Sequence, residues 1–214
     1  MSLLVLVGPP GALVAETAGE ISRRHGVPFA DTDAAIEQLA GESTELIAVE
    51  RSEEELRRFE RDVALAFLSD VTAQDERVLA LGSGSLGNSR SDVEFAPVRA
   101  RLAELLEAGA VVVHLTGNLA TLVHRTGLDG PRLAAVASPR RIFFTQLSQR
   151  TPLYTELATQ TIDTSGMELA EVTAVVVDTW KGPLSSEGNN ETPQDYDTFH
   201  SVAHAGRVAK HGIL

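Results

Sequence analysis

The stretch LLVLVGPPG, residues 3–11, decides how the rest of the chain is interpreted. Its first five residues are a continuous apolar run, which is typical of a parallel strand buried on both faces. The glycines and prolines that follow predict a loop. Apolar residues at helical spacing then predict a helix from about Leu13 to His25, with Gly26 as its C-terminal stop. The chain is therefore expected to open with a strand, a loop and a helix.

The alternation of strands and helices continues along the chain. Further strands are predicted at 27–30, 78–81, 111–115 and 161–163. The predicted helices are one capped by Asp31-Thr32-Asp33 that ends near Gly41, 51–69, one that starts near Pro97 and is ended by Gly109, a short one from Asn118, one from Ser138-Pro139 to about Gln149, and 168–180. This order predicts right-handed βαβ units, hence an α/β fold whose five-stranded parallel sheet has helices on both faces. Ligands bind such sheets at the carboxyl ends of the strands, here the loops at 8–12, 31–33 and 82–84.

The bulk composition is that of a globular protein with an acidic surface. The 214 residues include 18 lysines and arginines and 30 aspartates and glutamates, which gives a formal net charge of −12. Nucleic acid and anionic membranes both require a basic surface, so neither is expected as a partner. The absence of cysteine excludes disulfides and thiolate metal sites. No apolar run reaches membrane-spanning length or forms a signal peptide, so we expect a cytoplasmic protein.

The C-terminal residues 181–214 differ in composition from the rest. Gly, Ser, Asn, Pro and acidic residues dominate 182–197 and leave little to bury, so a disordered tail is predicted after a domain at 1–180. Such a tail could dock a protein partner. His200 and His204 have the spacing of a two-histidine metal site, but no third ligand is evident. We interpret them as incidental histidines.

The loop after the first strand departs from the phosphate-binding pattern of Gly, four residues and Gly-Lys-Ser/Thr. In that pattern the glycines let backbone N–H groups surround a phosphate, the lysine neutralises the β- and γ-phosphates, and the hydroxyl binds Mg²⁺. The pattern begins at Gly8, but its last three positions hold Leu13, Val14 and Ala15. Thr17 lies about 200° around the helix from position 15 and does not replace the hydroxyl. We therefore expect the loop to have lost the residues that bind the phosphates of ATP and Mg²⁺.

Motifs further along the chain resemble, in order, those of the shikimate kinase family. They are Asp31-Thr32-Asp33, the helical segment EELRRFE (54–60), Leu81-Gly82-Ser83-Gly84, the start of a lid at Arg125-Thr126-Gly127, RTPLY (150–154) and IDT (162–164). Where the family has Leu-Gly-Gly-Gly, Ser83 interrupts the triple glycine. The match spans about residues 3–180 and implies the three-layer P-loop kinase fold, with a small lid at about 126–138.

The resemblance implies an acceptor site for shikimate or a related small hydroxy-carboxylate. Asp33 corresponds to the carboxylate that hydrogen-bonds the ring hydroxyls and acts as base on the one that is phosphorylated. Arg57 and Arg150 correspond to arginines that hold the substrate carboxylate, a task that suits the guanidinium fork. Gly82 and Gly84 correspond to positions where the backbone approaches the ring.

The resemblance also implies a nucleotide side, which is altered here. Arg132 falls at the lid arginine that closes over the substrate and the transferred phosphate, although its neighbours differ. Arg125 corresponds by position to an arginine near the nucleotide, and Asp31 to the acidic group beside Mg²⁺. The remaining nucleotide-loop positions are Gly8, Gly11 and Ala12.

Several of these residues also have a purely structural interpretation. Asp31 and Asp33 are typical helix caps. Arg57 lies in a charged run that is typical of a solvated helix face, and Arg150 could be a charge at the end of a helix. The order of the motifs favours site roles for Asp33, Arg57 and Arg150 and leaves Asp31 open.

Three functions follow as hypotheses. The leading one is a degenerate member of this family from aromatic amino acid (chorismate) biosynthesis, which keeps the acceptor pocket and binds a ligand or regulates a partner without ATP-dependent transfer. The second is an active enzyme that converts ATP and shikimate to ADP and shikimate 3-phosphate, with Arg125 or Arg132 rebuilding the nucleotide site. The third is a non-catalytic scaffold that docks partners through its tail.

Overall fold

The computed structural model describes residues 2–128 and 139–182. Its strands are β1 (Leu4–Val7), β2 (Phe29–Asp31), β3 (Val78–Ala80), β4 (Val111–Thr116) and β5 (Gln160–Asp163). They form one five-stranded sheet in the order β2-β3-β1-β4-β5. All neighbouring strands are parallel. The expected parallel sheet of five strands is confirmed.

Helices follow nearly every strand of this sheet. They are α1 (Val14–His25), α2 (Thr32–Ala40), α3 (Thr44–Leu46), α4 (Glu53–Ser69), α5 (Ala96–Glu107), α6 (Leu119–Arg125), α7 (Pro139–Glu156) and α8 (Leu169–Lys181). The single turn α3 continues into a π-helical turn, Ile47–Arg51, and a 3₁₀ turn, Val93–Phe95, leads into α5. The sequence did not predict these three turns, because segments of three to five residues are too short to show a periodicity.

Strand β1 and the residue before it are buried on both faces of the sheet. Leu3, Val5 and Val7 join the core cluster that includes α4 and α5. Leu4 and Leu6 join the opposite cluster, which includes α1 and α8. All five side chains are at most 1% exposed. Helices therefore cover both faces, as the continuous apolar run predicts.

Helix α7 is longer than predicted. The sequence predicts that it ends near Gln149, but it continues to Glu156 with Pro152 in its interior. A proline there removes one backbone hydrogen bond, which normally ends or kinks a helix. Leu153 and Tyr154, which follow the proline, are each only 1% exposed. We infer that their burial in the core offsets the lost bond.

Some predictions fall on parts of the chain that the structure does not describe. The lid residues 129–138 with Arg132, and the tail beyond residue 182 with His200 and His204, lie outside the described residues. The lid, the tail and the domain boundary at 180 therefore stay predictions. Among the described residues, no helix is both long enough and apolar enough to cross a membrane.

His114 is a buried titratable group on β4. Its side chain is 1% exposed, and its ring centroid lies 5.2 Å from that of Tyr154. The Nδ1 atom lies 3.3 Å from Thr161 Oγ1, whereas Nε2 has no hydrogen-bond partner among the described residues. Burial lowers the pKa of His114 from 6.5 to about 4.

We expect His114 to make the protein less stable in mild acid. Because its folded-state pKa is depressed, its neutral form stabilises the fold fully above about pH 6.5, and this stabilisation is lost as the pH falls toward about 4. From about pH 7.5 to about pH 4.5, the free energy of unfolding should fall by about 2–3 kcal/mol through this group. Urea unfolding of wild type and His114→Leu at both pH values measures the difference. Equal pH dependence in the two proteins would contradict it.

Candidate functional site

The loops that follow β1, β2 and β3 line one cleft of about 390 Å³. Its lining includes residues 8–11 and 13 of the loop after β1, residues 14–16 at the start of α1, Asp31 and Asp33, Gly82 and Ser83, Glu60 from α4 and Arg150 from α7. The sequence predicts that these loops meet, because the carboxyl ends of parallel strands share one edge of the sheet. The structure places them together there.

The loop between β1 and α1 (residues 8–13), called the phosphate loop below, has an unusual backbone conformation at Leu13. This residue has φ 67° and ψ 33°, in the left-handed region that glycine adopts freely and leucine rarely. It is the one non-glycine residue with positive φ in the described chain. Its side chain packs against the core cluster shared by α1 and α8. The loop therefore retains a glycine-like conformation at the position where the phosphate-binding pattern has its second glycine.

We expect Leu13→Gly to be more stable than Leu13→Ala by about 1 kcal/mol. Both variants lose the packing of the isobutyl group, but only alanine still has to adopt the left-handed conformation. Urea unfolding of the two variants measures this difference. Ala15→Gly, in the first turn of α1, is the control and should lower stability, since glycine disfavours a helix. If Leu13→Ala is as stable as Leu13→Gly, the left-handed backbone at position 13 does not strain the residue.

The phosphate-loop half of the cleft does not fit a magnesium-bound nucleotide. Val14 and Ala15 offer neither a cation nor a hydroxyl, and Glu16 places a carboxylate in the first turn of α1. The N-terminus of a helix favours an anion, and here the protein supplies that anion itself. Of the described residues that line the cleft, only Arg150 is cationic. Four are acidic: Glu16, Asp31, Asp33 and Glu60.

Asp31 acts as the cap of α2. Its Oδ1 accepts hydrogen bonds from the backbone N–H groups of Asp33, at 2.9 Å, and of Ala34, at 3.4 Å. Burial raises the pKa of Asp31, and these two hydrogen bonds oppose the rise. No group of three or more His, Asp or Glu side chains in the described chain could hold a metal ion. The magnesium role implied for Asp31 stays a prediction beside this observed capping role.

Arg125 fastens the phosphate loop to the connection between β5 and α8. Its Nη1 donates to the carbonyl oxygen of Gly11 at 3.2 Å and to Thr164 Oγ1 at 2.9 Å. Its Nη2 donates to the carbonyl oxygens of Thr164 at 3.0 Å and Met167 at 2.8 Å. The guanidinium is thus engaged by the protein and is not among the residues that line the cleft. Its predicted place near a nucleotide remains untested.

Gly82 and Gly84 make room for two carboxyl groups of the protein. A Cβ atom at Gly82 would overlap the Asp33 carboxylate, and one at Gly84 would overlap the Glu60 carboxylate. Glu60 is 9% exposed and lines the cleft, yet sequence reasoning gave it no role. The available signal was its position as the final Glu of the motif at 54–60. The structure therefore adds Glu60 to the candidate site.

Arg150 and Glu60 are both buried in the wall of the cleft, and their charges interact. Arg150 is 7% exposed; its Nε donates to Asn88 Oδ1 at 2.8 Å and its Nη1 to Ser83 Oγ at 3.1 Å. Burial raises the pKa of Glu60, whereas the charges of Arg150 and Arg57 lower it. Tyr154 donates to the Ser83 carbonyl oxygen at 2.5 Å. The helix that carries Arg150 is thus tied to the loop after β3, and Ser83 contributes both its side chain and its backbone.

Arg57 faces the loop that precedes α5. Its Nη2 lies 3.0 Å from Asp92 Oδ2, and its guanidinium carbon lies 4.9 Å from the centroid of the Phe95 ring. It is half-buried, so the solvated helix face considered from the sequence does not describe it. It does not line the cleft directly. Whether Arg57 and Arg150 hold a substrate carboxylate stays a prediction.

Comparisons with known proteins agree with this fold and arrangement. A family model described as shikimate kinase matches residues 15–181. Proteins named shikimate kinase from Frankia casuarinae and Thermobifida fusca are 36% identical over 187 residues and 37% identical over 163 residues. The first match covers 87% of this chain and 76% of the relative, and the second covers 76% and 86%.

Solved structures extend the comparison to three dimensions. The shikimate kinase from Acinetobacter baumannii in complex with shikimate matches with a TM-score of 0.66 and 26% identity, over 83% of this chain and 92% of that one. A gluconokinase from Sinorhizobium meliloti, at 19% identity and a TM-score of 0.54, shares the fold alone. The expected P-loop kinase fold is confirmed. Since the family model matches well over half of the residues, this chain belongs to the shikimate kinase family.

Proposed function

We propose that this protein keeps an acceptor cleft for shikimate or a related hydroxy-carboxylate but has lost ATP-dependent phosphoryl transfer. The observation that carries the proposal is the triplet Leu13-Val14-Ala15 at the start of α1. Loss of one preorganised electrostatic contact reduces a rate on the order of 10²–10³-fold. Here the lysine and the hydroxyl are both absent, and even non-additive losses leave little turnover. The family in general uses ATP and Mg²⁺.

The acceptor half of the proposal rests on other residues that line the same cleft. Asp33 lies against Gly82, and Arg150 and Glu60 line the same space. The relative from Acinetobacter baumannii forms a complex with shikimate. We infer that this chain binds a ligand of the same class and acts as a ligand-binding or partner-regulating member of the family.

An active ATP:shikimate phosphotransferase is the second candidate. The left-handed conformation retained at Leu13 favours it, as do the relatives that are named shikimate kinase. In that case another cation has to supply the charge of the missing lysine. Arg125 already donates its hydrogen bonds to Gly11, Thr164 and Met167, so Arg132 is the better candidate. Replacing Arg132 should then abolish turnover.

Calorimetric titration of the purified full chain separates these functions. We expect heat of binding with shikimate and none with ATP and Mg²⁺ at about 1 mM ligand, together with ADP release far below about one per second. Shikimate-dependent turnover near about one per second would refute the proposal and favour the active kinase. No heat with either ligand would favour the scaffold hypothesis, in which the cleft is a relic.

A further inference from the structure

The loop between β3 and α5 supplies polar atoms to both arginines of the acceptor side. Asp92 Oδ2 accepts from Arg57 Nη2 at 3.0 Å. Asn88 Oδ1 accepts from Arg150 Nε at 2.8 Å, and Ser83 Oγ accepts from Arg150 Nη1 at 3.1 Å. These are the arginines to which the sequence assigns a substrate carboxylate. A single protein loop therefore occupies part of the hydrogen-bonding capacity of each of them.

Asp92 is held in place independently of Arg57. The backbone N–H of Asn88 donates to its Oδ2 at 2.7 Å. Arg99 donates to the carbonyl oxygens of Asp92, Leu86 and Arg90, at 2.9, 2.9 and 3.2 Å. Burial raises the pKa of Asp92, but the hydrogen bonds from Asn88 and Arg57 outweigh it and hold the pKa below its usual value. Asp92 is therefore a fixed, ionised carboxylate in contact with Arg57.

Acidic side chains of the protein already interact with Arg57 and Arg150 in the absence of a ligand. Arg57 faces Asp92, and both Arg57 and Arg150 act on Glu60. A ligand carboxylate would be a third acidic group beside two guanidiniums. The Arg57 and Asp92 side chains are only 22% and 24% exposed, so solvent screens their interaction less than that of a surface pair.

We propose that Asp92 is a specificity-determining residue of the acceptor site that acts through Arg57, and that it weakens the binding of a ligand's carboxylate without abolishing it. The proposal rests on the proposed function, because it takes the ligand to be shikimate or a related hydroxy-carboxylate. A carboxylate ligand has to share Arg57 with Asp92, whereas an uncharged hydroxylated ligand does not. The charge of Asp92 therefore lowers the affinity for the acid relative to that for its uncharged ester.

Asp92→Asn tests this with little change in shape. Asparagine keeps an oxygen that accepts from the Asn88 N–H and from Arg57, but it removes the charge. Calorimetric titrations of the full chain with shikimate and with its methyl ester compare an anionic and a neutral probe. We expect the variant to bind shikimate about tenfold more tightly than wild type does, and the ester within about twofold, because only the acid meets the changed charge.

Two further variants separate a charge effect from a change in folding. Arg90 lies on the same loop and forms an exposed ion pair with Glu156 at the end of α7. Glu156→Gln removes this pair and should leave both affinities within about twofold. Adding Arg57→Met to Asp92→Asn should abolish the gain for shikimate, because the released guanidinium is then gone. Thermal melting of each variant verifies that it is folded.

The outcomes for this inference and for the proposed function differ. If wild type binds shikimate and Asp92→Asn binds it no more tightly, the inference is overturned while the proposed function stands. If only Asp92→Asn binds shikimate, the inference is supported and the proposal of an acceptor site open in wild type fails. If neither protein binds shikimate or its ester, both fail.

Discussion

The triple variant Leu13→Gly, Val14→Lys, Ala15→Thr should bind ATP, which the wild-type chain is proposed not to do, and should release ADP with shikimate at least about 100-fold faster than wild type. Glycine suits the left-handed conformation already present at position 13. Lysine supplies the cation that neutralises the phosphates, and threonine supplies the hydroxyl that binds Mg²⁺. Calorimetry with ATP and a coupled assay of ADP release measure the two effects.

A matched control isolates the role of the cation. The variant Leu13→Gly, Val14→Met, Ala15→Thr has the same loop but a neutral side chain of similar length at position 14. It should bind ATP much more weakly than the lysine variant and show no comparable gain in rate. Equal ATP binding by wild type and both variants would mean that charge at position 14 does not control the nucleotide site.

Arg150→Met should lower the free energy of unfolding by about 3–5 kcal/mol at neutral pH. The substitution removes the positive charge that most lowers the pKa of the buried Glu60 carboxyl, and it removes the donors to Asn88 and Ser83. Such a loss reflects an uncompensated buried group rather than the net stabilisation by the pair. Urea unfolding measures it, and the same variant should lose shikimate binding.

A double-mutant cycle with Glu60→Gln tests the cause. Because glutamine carries no charge, Arg150→Met should be less destabilising in the Glu60→Gln background, by about 1 kcal/mol or more. Arg90→Met breaks an exposed pair, in which Arg90 is 73% and Glu156 47% exposed, and should change stability by less than about 1 kcal/mol. Additive effects of the two buried substitutions would rule out coupling between Glu60 and Arg150.

The parts of the fold that the sequence predicted well are determined by short-range features of the sequence. The apolar run at 3–7 identified β1, because a strand buried on both faces has no polar residue in it. Gly26 and Gly41 marked the ends of α1 and α2, and both adopt the left-handed conformation, at φ 66° and 77°. The end of α7 was predicted wrongly, because the burial of residues after Pro152 is a tertiary effect that local propensity does not contain.

The candidate site was predictable as a set of loops but less so as a set of contacts. Strand order alone brings Asp33 and Gly82 to one edge of the sheet. The pair Arg57–Asp92 joins residues 35 positions apart, and nothing in the local sequence around either residue indicates it. Glu60 was missed for a related reason: a glutamate on a strongly charged helix is normally solvent-exposed, and only packing reveals that this one is buried.

The hydrogen bond from Arg125 to Gly11 has a consequence for substitutions in the loop after β1. The Gly11 carbonyl oxygen accepts one hydrogen bond from Arg125 of α6, and the same guanidinium donates to the β5–α8 connection. The path of the loop is thus fixed in part by α6 and by the β5–α8 connection. Because these hydrogen bonds do not involve the side chains of residues 13–15, substitutions there leave them in place.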